Sequence, residues 1–275
     1  MDDLQDKVAI ITGAAGGIGL GMARAFAKVG MKVAMADIDA DALAQSASEL
    51  EDSGATVLAL TLDVTDRPGW EAAVEQVEAT LGPVQVLCNN AGVSTLGLKF
   101  EAIPPEMWDQ VVAINLTGVF NGIHYVLGSM QAAGRGHIVN TSSMGGLLGS
   151  VPNLSPYAAT KFAVVGLTES LRAELADEGI GVTVVCPGGV RTRLWRTSRP
   201  LRGLPDTDVP PSDMSGQSAS PTAMDPYEVG LRVLDAVRNN KLYVITHPEM
   251  RVGIEHRHDR LMAGFDYGEA LKVDL

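Results

Sequence analysis

Tyr157 and Lys161 stand four residues apart in YAATK, a spacing that in a helix sets both side chains on one face about one turn apart. A phenol is a poor base because its pKa lies near 10, but a neighbouring ammonium favours the phenolate and makes proton exchange feasible. Without such chemistry the pair would be an ordinary amphipathic helix face. Its meaning therefore depends on what the rest of the chain brings to it.

A second group lies at the N-terminal end. TGAAGGIG, residues 12–19, follows an apolar run and places Gly13, Gly17 and Gly19 at the passage from strand to helix. Glycine permits the tight turn and the close approach of backbone to a pyrophosphate, and the free N–H groups of the following helix favour negative charge. Asp37 ends the next apolar run, about twenty residues on, where a carboxylate can accept hydrogen bonds from the ribose of adenosine. It would repel a 2′-phosphate, and Ala14 and Ala15 offer no compensating cation, so the pattern predicts NAD rather than NADP. Asp37 could instead cap the following helix, a task open also to Asp39.

Together with DVTD (63–66), NNAG (89–92), Asn115, the Ser142–Ser143 pair and PGGVRT (187–192), these motifs give the chain its resemblance to the classical short-chain dehydrogenase/reductase family over nearly its whole length. The resemblance implies that Tyr157 exchanges the proton of an alcohol while hydride passes to or from nicotinamide. Lowering the phenol by about three pKa units takes roughly 4 kcal/mol of preferential stabilisation, here from Lys161 and the oxidised nicotinamide. It implies that Ser143 holds the substrate oxygen, although the fourteen-residue spacing to Tyr157, one more than usual, leaves Ser142 as an alternative. Lys161 is expected to bond the nicotinamide ribose and Asn115 to support a water linking that lysine to solvent. The remaining cofactor contacts are Gly13, Gly17, Ile18, Gly19, Asp63 and Val64 at adenine, Asn90, Ala91 and Gly92 bordering the cofactor, and Pro187, Gly188, Val190 and Thr192 at the carboxamide. No metal is required.

These residues need a scaffold. Strand-length apolar runs at Val8–Thr12, Lys32–Asp37, Thr56–Thr61, Val84–Asn89, Gly136–Thr141, Gly181–Cys186 and Leu242–Thr246 alternate with helical stretches at Gly17–Val29, Asp41–Leu50, Pro68–Leu81, Pro105–Met130, Pro156–Asp177 and Pro226–Asn239. The alternation predicts an α/β Rossmann fold in one domain: a doubly wound, seven-stranded parallel sheet with helices on both faces and a ligand crevice at the carboxyl ends of the strands. Residues 193–226, rich in Pro, Ser, Gly and Asp, read as a cover over the substrate or as a plain surface insertion.

The chain has 275 residues, 46% of them hydrophobic, and a net charge of −12. Such acidity argues against nucleic acid or an anionic membrane as partner. The start, MDDLQDKVAIITG, carries neither a basic segment nor a long apolar run, so a cytoplasmic protein is expected. Two cysteines, Cys88 and Cys186, each close a β-branched run and predict buried thiols. His256 and His258, near Glu255 and Asp259, read as a solvated helix face or a subunit contact rather than a metal site. Arg191, Arg193, Arg196, Arg199 and Arg202 gather around Trp195 and could meet an anionic ligand or remain solvated.

Val93, Leu147, Leu148, Val151, Leu154, Leu194 and Trp195 predict a hydrophobic pocket and hence a bulky, aromatic or steroid-like secondary alcohol or its ketone. The rivals are a catalytically idle NAD-binding sensor or scaffold, an NADP-dependent ketone reductase, and a sugar-nucleotide epimerase, which usually has a longer C-terminal part. The resemblance also implies a homo-oligomer, a tetramer or a dimer, built on the helices at Pro105–Met130 and Pro156–Asp177.

Overall fold

A computed structural model describes residues 3–95, 98–149, 152–203 and 223–270. Seven strands form one parallel sheet in the order β3-β2-β1-β4-β5-β6-β7. They are β1 (Val8–Thr12), β2 (Lys32–Asp37), β3 (Val57–Thr61), β4 (Val84–Asn89), β5 (Gly136–Thr141), β6 (Ile180–Cys186) and β7 (Tyr243–Ile245). The order reverses between β1 and β4, so loops leaving those two strands part company and open a crevice beyond their carboxyl ends.

Period-two alternation along the strands divides the core. Ala9 and Ile11 of β1 face one side, with Met22 and Phe26 of α1 (Gly17–Lys28), Leu43 and Leu50 of α2 (Ala40–Asp52). Val8 and Ile10 face the other side, with Trp70 and Val77 of α3 (Arg67–Thr80). Both faces are covered, which is why these strands read as unbroken apolar runs. Asp39, not Asp37, caps α2: its carboxylate accepts the Ala42 N–H at 3.1 Å.

The stretch predicted as one helix from Pro105 is three pieces: α4 (Pro105–Val112), a π turn at Ala113–Thr117, and α5 (Gly118–Ala133). Pro105–Ala133 is long and apolar enough to cross a membrane by composition. Val119, Ile123, Val126 and Met130 of α5 nevertheless belong to the core beside Val84 and Leu87 of β4. The short α6 (Gly145–Leu148) and the long α7 (Ser155–Glu174) follow β5.

After β6 come α8 (Leu194–Thr197), α9 (Pro226–Arg238) and α10 (Arg251–Ala270). The predicted cover of residues 193–226 lies largely outside the described residues, but its C-terminal end meets the chain just ahead of its start. Val190 bridges Met224, and Arg191 pairs with Asp225 at 2.6 Å. The N–H of Tyr227 and the Arg191 guanidinium together hold the Asp225 carboxyl below its ordinary range. Helix α10, absent from the sequence-based assignment, bears His256 and His258 on a largely exposed surface.

Candidate active site

The crevice at the β1/β4 reversal is a cleft of about 1570 Å³. Its N-terminal wall comes from the glycine turn. Gly13 and Gly17 adopt φ of +66° and +52°, the left-handed region that side chains rarely tolerate. A Cβ at Gly19 would overlap the Gly13 carbonyl oxygen. Gly13, Gly17 and Ile18 line the cleft. Gly19, expected to touch cofactor, is instead buried and absent from the lining; its missing side chain lets α1 pack onto the turn.

Asp37 is half-buried at the tip of β2 and reaches the cleft. Its carboxylate accepts the N–H groups of Ala15 at 2.9 Å and Asp39 at 3.1 Å, one on each oxygen. Since each oxygen can accept a second hydrogen bond, the carboxylate retains capacity for ribose hydroxyls. Asp63 and Val64 line the cleft farther along, and Asp63 accepts from the backbone and hydroxyl of Thr65. This geometry fits the adenosine half of a dinucleotide.

Thr12, which sequence reasoning passed over, fastens β1 to β4. Its hydroxyl accepts the N–H groups of Asn90 at 2.9 Å and Ala91 at 3.1 Å. The Asn90 amide donates to the Thr12 carbonyl at 2.9 Å, and its oxygen accepts from the Thr141 hydroxyl at 3.3 Å. Asn90 thus shapes the turn mainly through protein contacts. It shares the cleft wall with Ala91 and Gly92.

Tyr157 and Lys161, one turn apart on α7, both face the cleft, and the lysine Nζ lies 5.6 Å from the phenol ring centre. Lys161 is 4% exposed and donates to the Thr141 carbonyl at 2.8 Å. Burial lowers its pKa to about 8. The Ser143 hydroxyl lies beside the Tyr157 ring, both within 3.7 Å of where a Cβ on Gly145 would stand, and accepts the Gly145 N–H at 3.0 Å. Ser142 turns away and donates to the Lys161 carbonyl at 2.7 Å. The geometry therefore selects Ser143 over its neighbour.

Burial raises the Tyr157 pKa above the ordinary phenol value, and the neighbouring Ser143 hydroxyl only partly opposes it. This reverses the direction expected from the lysine alone. Desolvation outweighs an ammonium that is not in hydrogen-bonding contact with the ring and is partly spent on Thr141. The protein by itself holds Tyr157 protonated around neutral pH.

Asn115 is fully buried in the π turn and does not line the cleft. Its oxygen accepts the Val93 N–H at 2.8 Å, while its amide donates to the Val93 carbonyl at 2.9 Å and the Thr160 hydroxyl at 3.2 Å. The side chain positions the loop after β4 and steadies α7. A Cβ on Gly92 would come within 3.2 Å of the Asn115 oxygen and 3.5 Å of Lys161 Nζ. The three residues are thereby brought together.

Pro187, Gly188, Val190 and Thr192 form the wall after β6, and the Thr192 side chain packs against Gly17. Val93, Leu148, Leu154, Leu194 and Trp195 give the cleft an apolar side. Leu147 instead packs beside Met144, and Val151 lies outside the described residues. Ser198, not anticipated from sequence, accepts the Ser94 N–H at 2.8 Å and joins α8 to the β4 loop. Of the arginines expected around Trp195, Arg199 stays 5.8 Å from its ring, Arg193 and Arg196 share the cleft wall with it, Arg193 reaching towards Gly16, and Arg191 pairs instead with Asp225.

A parallel sheet with a glycine turn at its reversal and a Ser–Tyr–Lys cluster facing it defines a dinucleotide-dependent oxidoreductase. The family profile described as short chain dehydrogenase matches residues 7–202. The chain is 36% identical over 263 residues to a C alpha-dehydrogenase of Sphingobium sp. (strain NBRC 103272 / SYK-6), covering 93% of this chain and 85% of that one. It is 39% identical over 237 residues to a 3-alpha-(or 20-beta)-hydroxysteroid dehydrogenase of Mycobacterium tuberculosis, covering 86% and 84%. A short chain dehydrogenase/reductase from Burkholderia phymatum, solved in complex with NAD, superimposes with a TM-score of 0.88 at 30% identity, covering 96% of this chain and 97% of that one. The chain belongs to the short-chain dehydrogenase family.

Proposed function

We propose that the protein is an NAD-dependent dehydrogenase/reductase that interconverts a hydrophobic secondary alcohol and its ketone, with Tyr157 as acid and base. The observation that carries this reading is the placement of Ser143 beside Tyr157 in the same cleft as Lys161 and the glycine turn. When bound, the nicotinamide exchanges hydride with the substrate carbon. The Tyr157 hydroxyl donates its proton to the ketone oxygen in reduction and, as phenolate, takes the alcohol proton in oxidation. Ser143 orients that oxygen and Tyr157 together. Lys161 supplies a fixed positive charge and a donor for the ribose, and Asn115 keeps the Val93 loop in place.

The choice of NAD rests on Asp37, whose carboxylate lines the adenosine end beside Asp39, Asp41 and Asp63. A 2′-phosphate placed there meets like charge. The apolar side of the cleft supports a bulky, aromatic or steroid-like substrate, in keeping with the names of the relatives. Exposed Trp108 and Phe120 on α4 and α5, the latter stacked on His124, support self-association through these helices.

A panel of aryl and steroid alcohols and ketones with NAD(H) and NADP(H), followed by nicotinamide absorbance, tests the reading. We expect turnover with NAD(H), and Tyr157→Phe to abolish it while leaving cofactor affinity within a few-fold. Dinucleotide binding without turnover on any member of a broad panel would favour an idle sensor.

A further inference from the structure

The acidic cleft poses a problem for a ligand that carries a diphosphate. Asp37, Asp39, Asp41 and Asp63 line its adenosine end, and the turn itself, TGAAGGIG, contains no basic side chain. The dipole and free N–H groups of α1 favour an anion, and its first turn has no acidic residue. Lys161, the basic group beside Tyr157, is buried and gives one of its three N–H donors to the Thr141 carbonyl. A cation nearer the turn would add to the pull of the helix N-terminus.

Arg193 occupies that place. Its Nη2 lies 3.8 Å from where a Cβ on Gly16, the residue preceding α1, would stand. Thr192, immediately before it, packs against Gly17, so backbone geometry directs the arginine to the mouth of the glycine turn. Arg193 is exposed, lines the cleft and makes no ion pair among the described residues. Arg191, two positions earlier, is instead held by Asp225 and the Ala223 carbonyl.

Resting on the proposed dinucleotide chemistry, we propose that Arg193 is a cofactor-binding residue whose guanidinium pairs with the diphosphate over the glycine turn. A planar guanidinium suits this task because it can offer parallel N–H donors to phosphate oxygens. Arg193 also opens α8, whose Leu194 and Trp195 line the apolar side of the cleft. One short segment thus serves both ligands.

Calorimetric titration of the wild type, Arg193→Gln and Arg193→Lys with NAD⁺, ADP-ribose and adenosine tests the assignment. Arg193→Gln should weaken NAD⁺ and ADP-ribose about tenfold, equal to about 1.4 kcal/mol, and leave adenosine unchanged. Arg193→Lys should recover part of the loss, and added salt should weaken wild-type binding more than that of Arg193→Gln. The thermal midpoint without ligand should be unaltered because the side chain is exposed. Equal affinities of wild type and Arg193→Gln for NAD⁺, or an equal loss for adenosine, would overturn the role of Arg193 alone. A wild-type chain that binds neither NAD⁺ nor NADP⁺ would overturn the functional reading beneath it.

Discussion

Ser142 and Ser143 are adjacent in sequence and opposed in space: Ser142 ties its hydroxyl to the Lys161 carbonyl at 2.7 Å, whereas Ser143 meets Tyr157. Alternation at the end of β5 separates a packing hydroxyl from a reactive one. Ser143→Ala should lower kcat/KM about 10²- to 10³-fold, by analogy with loss of one donor at a reacting oxygen, without moving the thermal midpoint appreciably. Ser142→Ala should cost about 1 kcal/mol of stability and change turnover only a few-fold. Steady-state kinetics beside urea unfolding would reveal the reverse pattern if the assignment were wrong.

Asp37 gives a second prediction. Asp37→Ala removes the charge facing the adenosine ribose and should cut the preference for NAD⁺ over NADP⁺, measured as the ratio of kcat/KM values, at least about tenfold. It should also destabilise the turn, since Ala15 and Asp39 lose their acceptor. Asp37→Asn, whose single amide oxygen can accept one of the two N–H groups, should recover only part of that stability. An unchanged cofactor ratio in Asp37→Ala would remove the basis for choosing NAD.

Lys161 gives a third. Its pKa falls from 10.5 to about 8 on burial, so between those values the unfolded chain binds more protons than the folded one. Stability from this group therefore rises with pH across that window and is lowest below it. The change amounts to about 3 kcal/mol. Raised pKa values at Cys88, Cys186 and Tyr157 act in the opposite sense in alkali; Cys186, which Lys161 holds down in part, rises further in Lys161→Met, so the sign of the difference between the two proteins is kept. The stability of the wild type relative to that variant should thus increase from pH 8 to pH 10.5 in denaturant titrations. A flat difference would mean that Lys161 is not desolvated as described.

Much of this architecture was legible beforehand because the parallel strands are buried on both faces. β1, β2, β4 and β5 end where their apolar runs end. The cleft was legible because Gly13, Asp37, Tyr157 and Lys161 each lie in, or directly after, an element that fixes their place. The π turn was not, since Asn115 interrupts an apolar stretch without disturbing its helical period, and its reason lies in Val93 and Thr160, distant in sequence. Helix α10 escaped notice because it has no buried apolar stripe to read: Leu261, Met262 and Phe265 are all exposed. The raised Tyr157 pKa was invisible for a different reason. Spacing reports the neighbouring lysine but not the loss of water around the phenol.

The π turn at Ala113–Thr117 holds one residue more than regular helical winding requires. Taking out that surplus residue, the loss of a single codon, could let Pro105–Ala133 wind evenly with the sheet-facing stripe of α5 still in register. Asn115 would then lose its grip on Val93, so a genetic change small enough to spare the scaffold would dismantle the support of the reaction centre.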